Sequence, residues 1–104
     1  MDMKLASERL EALANPTRLS IYRQLVRAGE GGLTVGQVQE RLDIPASTLS
    51  HHIRALTGAG LVVQERMGTS LVCRTNYAAM RGLVDFLVAE CCADAACSPE
   101  AKAG

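Results

Sequence analysis

The chain contains no tryptophan, one phenylalanine and two tyrosines in 104 residues. So few flat π surfaces leave little for unpaired bases to stack on, which argues against a reader of single-stranded nucleic acid. No apolar run approaches the length that spans a bilayer. Met1-Asp2-Met3-Lys4 leads into a charged amphipathic stretch and not into the apolar segment of a signal peptide. A cytoplasmic protein with no membrane partner is therefore expected. Net charge is also missing, with 11 basic against 11 acidic residues, but the balance is uneven along the chain. Residues 1–40 carry five of each sign, residues 41–81 five basic and two acidic, and residues 82–104 one basic and four acidic. Affinity for phosphates follows local charge, so the basic middle is where a polyanion would be met.

What is present suffices for one small domain. At 104 residues, 48% of them hydrophobic and 21% charged, the chain closes a single core and leaves no room for a second. There is no internal repeat.

Leu5, Ala6, Leu10 and Leu13 lie near one stripe of a short amphipathic helix. Asn15-Pro16-Thr17 supplies a capping side chain followed by proline at the first helical position, so a second helix starts there, runs through Leu19, Tyr22, Leu25 and Val26, and ends at the glycines from Gly29. Thr34-Val35-Gly36-Gln37 has the spacing of a capping box, and Val35, Val38 and Leu42 continue a third helix. Residues 43–46 can only turn the chain into a fourth helix over 47–56. There Leu49, Ile53 and Leu56 face inward, and Ser47, Ser50, His51 and Arg54 face out. Two β-prone runs, 61–66 and 71–75, flank Met67-Gly68-Thr69-Ser70 and predict a hairpin. A last helix over 77–91 carries Met80, Leu83, Val84, Leu87 and Val88, more apolar surface than one small domain covers. With the first helix it predicts a dimer seam. Residues 1–92 form the domain and residues 93–104 a loose tail.

Helix, turn, helix with outward hydroxyls, then a hairpin, is the order of a winged helix-turn-helix, in which the second helix of the pair enters the DNA major groove. The fold class expected is mainly α with a β-hairpin. At Leu13-Ala14-Asn15-Pro16-Thr17-Arg18-Leu19, Ser47-Thr48-Leu49-Ser50-His51-His52-Ile53-Arg54-Ala55-Leu56, Gly60-Leu61-Val62, and Arg66 with Gly68, the chain resembles the ArsR family of bacterial metal-responsive repressors. The resemblance covers nearly all of residues 5–90, and the combination of motifs in this order is specific. It implies a homodimer that binds an imperfect inverted repeat in duplex DNA and leaves it when a ligand arrives. Ser47, Thr48, Ser50, His51 and Arg54 are the candidate DNA contacts on the fourth helix, with Arg66 and Thr69 on the wing. Adjacent helical residues diverge by about 100°, so His51 and His52 cannot ligate one ion together. His51 is assigned to DNA and His52 to the packed interior.

Four cysteines in a cytosolic chain read as thiols for metal or redox work. Cys91, Cys92 and Cys97 form the cluster. Three sulfurs suit a soft three-coordinate pyramidal ion, trivalent arsenic or antimony, acting as an effector and not as a resident cofactor. Cys73, between Val72 and Arg74, reads as structural. In the prototype arsenic sensors the cysteines lie on the helix before the recognition helix, but residues 33–38 here have none. A Cys-Cys then Cys arrangement after the last helix is similar to a variant in the family. The zinc-sensing members use Asp and His on the last helix, and this chain has no histidine after His52. A thiol redox or persulfide sensor, forming a disulfide among the same cysteines, is the alternative. A thiol enzyme is disfavoured because Glu90 and Asp94 flank the pair and would raise a thiol pKa. No catalytic residue is expected.

Overall fold

Asp2 starts the first helix of the computed structural model, which describes residues 1–95. Its carboxylate accepts the Leu5 N–H at 2.8 Å, so α1 (Met3–Leu13) begins two residues before the first apolar position of its stripe. α2 (Pro16–Ala28) opens as its sequence dictates. The Asn15 side chain accepts the Arg18 N–H at 3.0 Å, and Pro16 occupies a position whose N–H would have had no partner. A cap of this kind stabilises a helix by about 1 kcal/mol. A 3₁₀ turn (Gly29–Gly31) then leads into β1 (Leu33–Thr34). Thr34 belongs to that strand and also caps α3 (Val35–Leu42) through both arms of the capping box. Thr34 Oγ1 accepts from Gln37 N–H at 3.1 Å, and Gln37 Oε1 accepts from Thr34 N–H at 2.9 Å.

α4 (Ala46–Gly58) extends past the expected 47–56 at both ends. At the start the Pro45 carbonyl accepts the Leu49 N–H at 3.0 Å. At the far end the helix runs through Gly58, and the chain turns only at Gly60, where φ is 78°. β2 (Val62–Met67) and β3 (Ser70–Thr75) form the wing, joined by Gly68-Thr69 alone, a tighter loop than the four residues expected. Gly68, at φ 65°, is the first central residue of that turn, the position a type II′ hairpin reserves for glycine.

The sheet is larger than a hairpin. β3 lies in the middle, order β1-β3-β2, with Leu33 opposite Cys73 and Thr34 opposite Val72. Gly32 makes that approach possible. Its φ is 67°, and a Cβ there would run into the Cys73 carbonyl oxygen.

α5 (Tyr77–Val88) is capped by Asn76, whose Oδ1 accepts from Ala79 N–H at 3.2 Å and whose Nδ2 donates to the Gly60 carbonyl at 3.0 Å. It stops three residues short of the expected Cys91. Ala89 is extended, and Glu90 and Cys92 both have φ 61°, a left-handed conformation that no α-helix continues through.

The core is built from Ile21, Tyr22 and Leu25 of α2, Val38 of α3, Leu49, Ile53 and Leu56 of α4, and Leu61, Val62 and Cys73 from the wing side. α1 contributes Ala6 and Ala12, while Leu10 stays exposed, as do Met3 and the α5 residues Val84, Leu87 and Val88. The surplus apolar stripe expected from the sequence is thus left uncovered by this chain's own core. Among the described residues no helix is long and apolar enough to cross a membrane.

Candidate nucleic-acid interface

The period of α4 sorts its side chains. Leu49, His52, Ile53 and Leu56 are buried, and Ser47, Thr48, Ser50, His51 and Arg54 are exposed on the opposite side. All five proposed contacts on this helix therefore face solvent together. Arg66 and Thr69 are exposed on the wing, Thr69 in its turn. Serine and threonine hydroxyls, an imidazole and a guanidinium present both donors and acceptors, which is what reading base edges in a groove needs.

Helix and wing meet in one cleft of about 380 Å³, lined by Ser50, Arg54 and Thr57 of α4, Gln64 and Leu71 of the wing, and Val35 of α3. Ser50 and Arg54 are brought together with wing residues there, whereas Ser47, Thr48, His51, Arg66 and Thr69 lie outside it. Thr57 and Gln64 were not legible as site residues. Gln64 is an exposed polar residue in a strand exposed from Val63 onward, the ordinary look of a solvated face. Only the packing of β2 beside α4 gives it a place. Its Nε2 donates to Cys73 Sγ at 3.4 Å, tying the cleft to the sheet. Glu65, the acidic residue of the wing, is paired with Arg74 at 3.1 Å.

His52 is buried, as expected for its place on the helix. Its Nδ1 accepts from Arg18 Nε at 3.3 Å. Burial, then the positive charges of Arg18 and His51, hold its pKa below the ordinary histidine value. The His51 and His52 rings are tilted by 55° with centroids 5.6 Å apart. Cys73 is fully buried on β3, and burial raises its pKa, partly opposed by the Gln64 hydrogen bond. It is held as an uncharged thiol inside the fold.

Cys91, expected as the last residue of the final helix, lies beyond it. Because α5 ends at Val88, Cys91 and Cys92 stand on a turn, closed by the Cys91 N–H to the Val88 carbonyl at 3.0 Å and by Ala93 N–H to the Glu90 carbonyl at 2.9 Å. Their sulfurs are 3.5 Å apart and do not diverge by a helical step. Two sulfurs at that separation subtend about 100° at an ion roughly 2.3 Å from each, the distance thiolates keep from zinc. Cys92 is disulfide-bonded. With that disulfide reduced, two thiolates at this separation would suit a pyramidal thiophilic ion without unwinding a helix. Cys97, with the rest of the proposed tail from residue 96 on, lies outside the described residues. Among the described residues no group of three or more His, Cys, Asp or Glu side chains is placed to hold a metal.

Comparison with known proteins is consistent with this architecture. A family model described as a helix-turn-helix domain matches residues 13–65, about half of the chain. The transcriptional regulator NmtR of Mycobacterium tuberculosis is 43% identical over 63 residues, covering 61% of this chain and 50% of that protein. The putative arsenical resistance operon repressor ArsR of Halobacterium salinarum is 46% identical over 59 residues, covering 57% of this chain and 45% of that protein. The chain thus spans about half the length of these two relatives. Among solved structures, a homodimeric winged helix-turn-helix DNA-binding domain from Mycobacterium bovis, described as a possible ArsR-family regulator, superposes with a TM-score of 0.68 at 27% identity, covering 85% of this chain and 82% of that one.

Proposed function

The chain belongs to the ArsR/SmtB family of helix-turn-helix transcriptional regulators, and from that premise we propose that it is a homodimeric repressor that binds an inverted repeat in duplex DNA and releases it on taking up trivalent arsenic or antimony. The observation that carries the DNA-binding part is the solvent-facing set Ser47, Thr48, Ser50, His51 and Arg54, lying beside a wing with which it shares a cleft. A twofold dimer built on the exposed apolar residues of α1 and α5 presents two such faces, and palindromic half-sites match that symmetry. Arg54 and Arg66 engage phosphates or guanine edges while the hydroxyls and His51 reach base edges.

The effector assignment is supported by likeness to the Halobacterium salinarum protein, a putative arsenical resistance operon repressor, and by the nearness of the Cys91 and Cys92 sulfurs, which become a thiolate pair once the Cys92 disulfide is reduced. Cys91, Cys92 and Cys97 are the proposed thiolate ligands. The pair sits three residues beyond the end of α5, so a ligand drawn onto it alters the chain where the proposed seam ends. A second reading has its own support. With Cys92 disulfide-bonded, the same cysteines suit a thiol redox sensor, in which oxidation and reduction take the place of metalloid binding and release.

The experiment is footprinting of the DNA upstream of the protein's own gene, with reduced protein, oxidised protein, and reduced protein plus arsenite. Protection by reduced protein that arsenite abolishes supports the first reading; loss on oxidation alone, with no response to arsenite, supports the second. Serine at Cys91, Cys92 or Cys97 should then leave protection intact and make it insensitive to arsenite, whereas Cys73→Ser should respond as the parent does. Absence of protection under every condition would overturn both.

A further inference from the structure

One guanidinium joins three helices. The Arg18 backbone N–H is capped by Asn15 at the start of α2; its Nε donates to His52 Nδ1 on α4 at 3.3 Å, and its Nη1 donates to the Ala12 carbonyl at 3.2 Å. Ala12 lies in the last turn of α1, where helix carbonyls have no intrahelical partner, so the contact satisfies an orphan acceptor. His52 is buried on the inner side of α4 and immediately follows His51 on the exposed side. A second arginine makes a parallel tie: Arg9 of α1 donates from Nε to the Ala59 carbonyl at 3.0 Å, at the C-terminal cap of α4. Two guanidiniums thus hold α1 against the middle and the end of α4, and only Arg18 does so through a side chain of α4 itself.

We propose that Arg18, acting through His52, is a positioning residue for DNA recognition, fixing the exposed face of α4 relative to α1. The inference rests on the DNA-binding reading above and adds to it a residue that itself touches no DNA. Arg18 is half-buried, and its Nε and Nη1 are directed at protein acceptors on α4 and α1. Guanidinium geometry is needed because two donors on one planar group must reach acceptors on two different helices, which a lysine ammonium on a single stem does not reproduce. The acceptor at His52 is specific too. It lies at the δ position of the side chain, where asparagine also carries an oxygen and glutamine does not.

The test uses the full chain, a duplex protected in the footprint, and DNA affinity measured across a salt series beside thermal unfolding and sedimentation. His52→Asn should bind DNA within about threefold of the parent. His52→Gln and Arg18→Met should bind about tenfold or more weakly, with the dimer retained and the slope of log affinity against log salt unchanged. The double variant Arg18→Met with His52→Gln should be no weaker than Arg18→Met alone, because that variant already lacks the bond to His52 together with the bond to the Ala12 carbonyl. A neutralised phosphate contact changes that slope by about 0.9, so a flatter slope in Arg18→Met makes Arg18 a DNA contact and overturns the proposal. Parent-like affinity in both weakened variants, additive losses in the double, or equal losses in His52→Asn and His52→Gln overturn it as well. Should Arg18→Met not fold, the asparagine and glutamine pair decides alone. A parent that binds no duplex removes the DNA-binding reading first, and this inference with it.

Discussion

Leu87 gives the sharpest measure of the proposed seam. It lies near the end of α5 and is 59% exposed, beside Val88 at the same value, with Met3 of α1 at 70%. Replacing leucine by alanine removes three carbons, and burying each contributes about 0.8 kcal/mol, so a fully covered site would lose about 2.4 kcal/mol. Only the part now open can be covered by a partner, which leaves about 1.4 kcal/mol per protomer. A twofold interface contains the residue twice, so the dimer should lose about 2.8 kcal/mol, roughly a hundredfold in its dissociation constant. Sedimentation equilibrium of Leu87→Ala against the parent measures this directly. Val63→Ala, an exposed apolar residue on the wing strand, is the control and should leave the constant unchanged. Affinity for a duplex with two half-sites should fall with the dimer, and affinity for a single half-site should not. A parent that is monomeric at micromolar concentration, or a Leu87→Ala dimer within threefold of the parent, refutes the reasoning.

Arg54→Ala should weaken binding to every duplex and flatten the salt slope by about 0.9 if the guanidinium meets a phosphate; if it meets a base, specificity should relax at one position at a cost of about 1–3 kcal/mol. Fluorescence anisotropy on matched and scrambled duplexes separates the two. Gly32→Ala combines a left-handed φ with a clash at the Cys73 carbonyl, so it should lose at least about 2 kcal/mol and lower Tm by roughly 10 °C. Gly31→Ala, where a Cβ meets open space, should stay close to the parent. His52 has a lowered pKa, so the unfolded chain binds more protons than the folded one as pH falls through the ordinary histidine range. Its contribution to stability is complete above about pH 6.5 and is lost progressively below it. Arg18 and His51 are the groups whose charge acts on it, and Glu8 and Glu11 line the α1–α4 cleft together with Arg18. The difference in Tm between the parent and His52→Asn, measured from pH 7.5 to 5, should move against the parent as pH falls.

The helices were legible because their signals are local. Asn15-Pro16, the Thr34 to Gln37 capping box and the period of Leu49, Ile53 and Leu56 each depend on residues within a turn or two, and the outward set on α4 follows from the same period. The elements that were missed depend on distant partners. β1 is two residues long, too short for any alternation to register, and exists because Gly32 lets the chain approach β3 some forty residues later. Gln64 joins the cleft beside α4, and Arg18 reaches His52, through contacts that no spacing encodes. The end of α5 was placed too late because Ala89, Glu90, Cys91 and Cys92 contain no glycine or proline to mark a stop. The backbone nevertheless turns left-handed at Glu90 and Cys92.

The sheet order has a further consequence, for how such a wing can diversify. Its root is clamped, because β3 is paired on both sides and β1 runs straight into the capped start of α3. Its tip is a cantilever, Gly68-Thr69 with exposed neighbours and nothing packed beyond it among the described residues. Lengthening or replacing the hairpin at that tip changes how far it reaches along a duplex without disturbing the core, whereas one inserted residue beside Gly32 shifts the pairing of β1 and with it the start of α3. Variation in DNA reach can therefore accumulate at one end of the wing while the other end stays fixed.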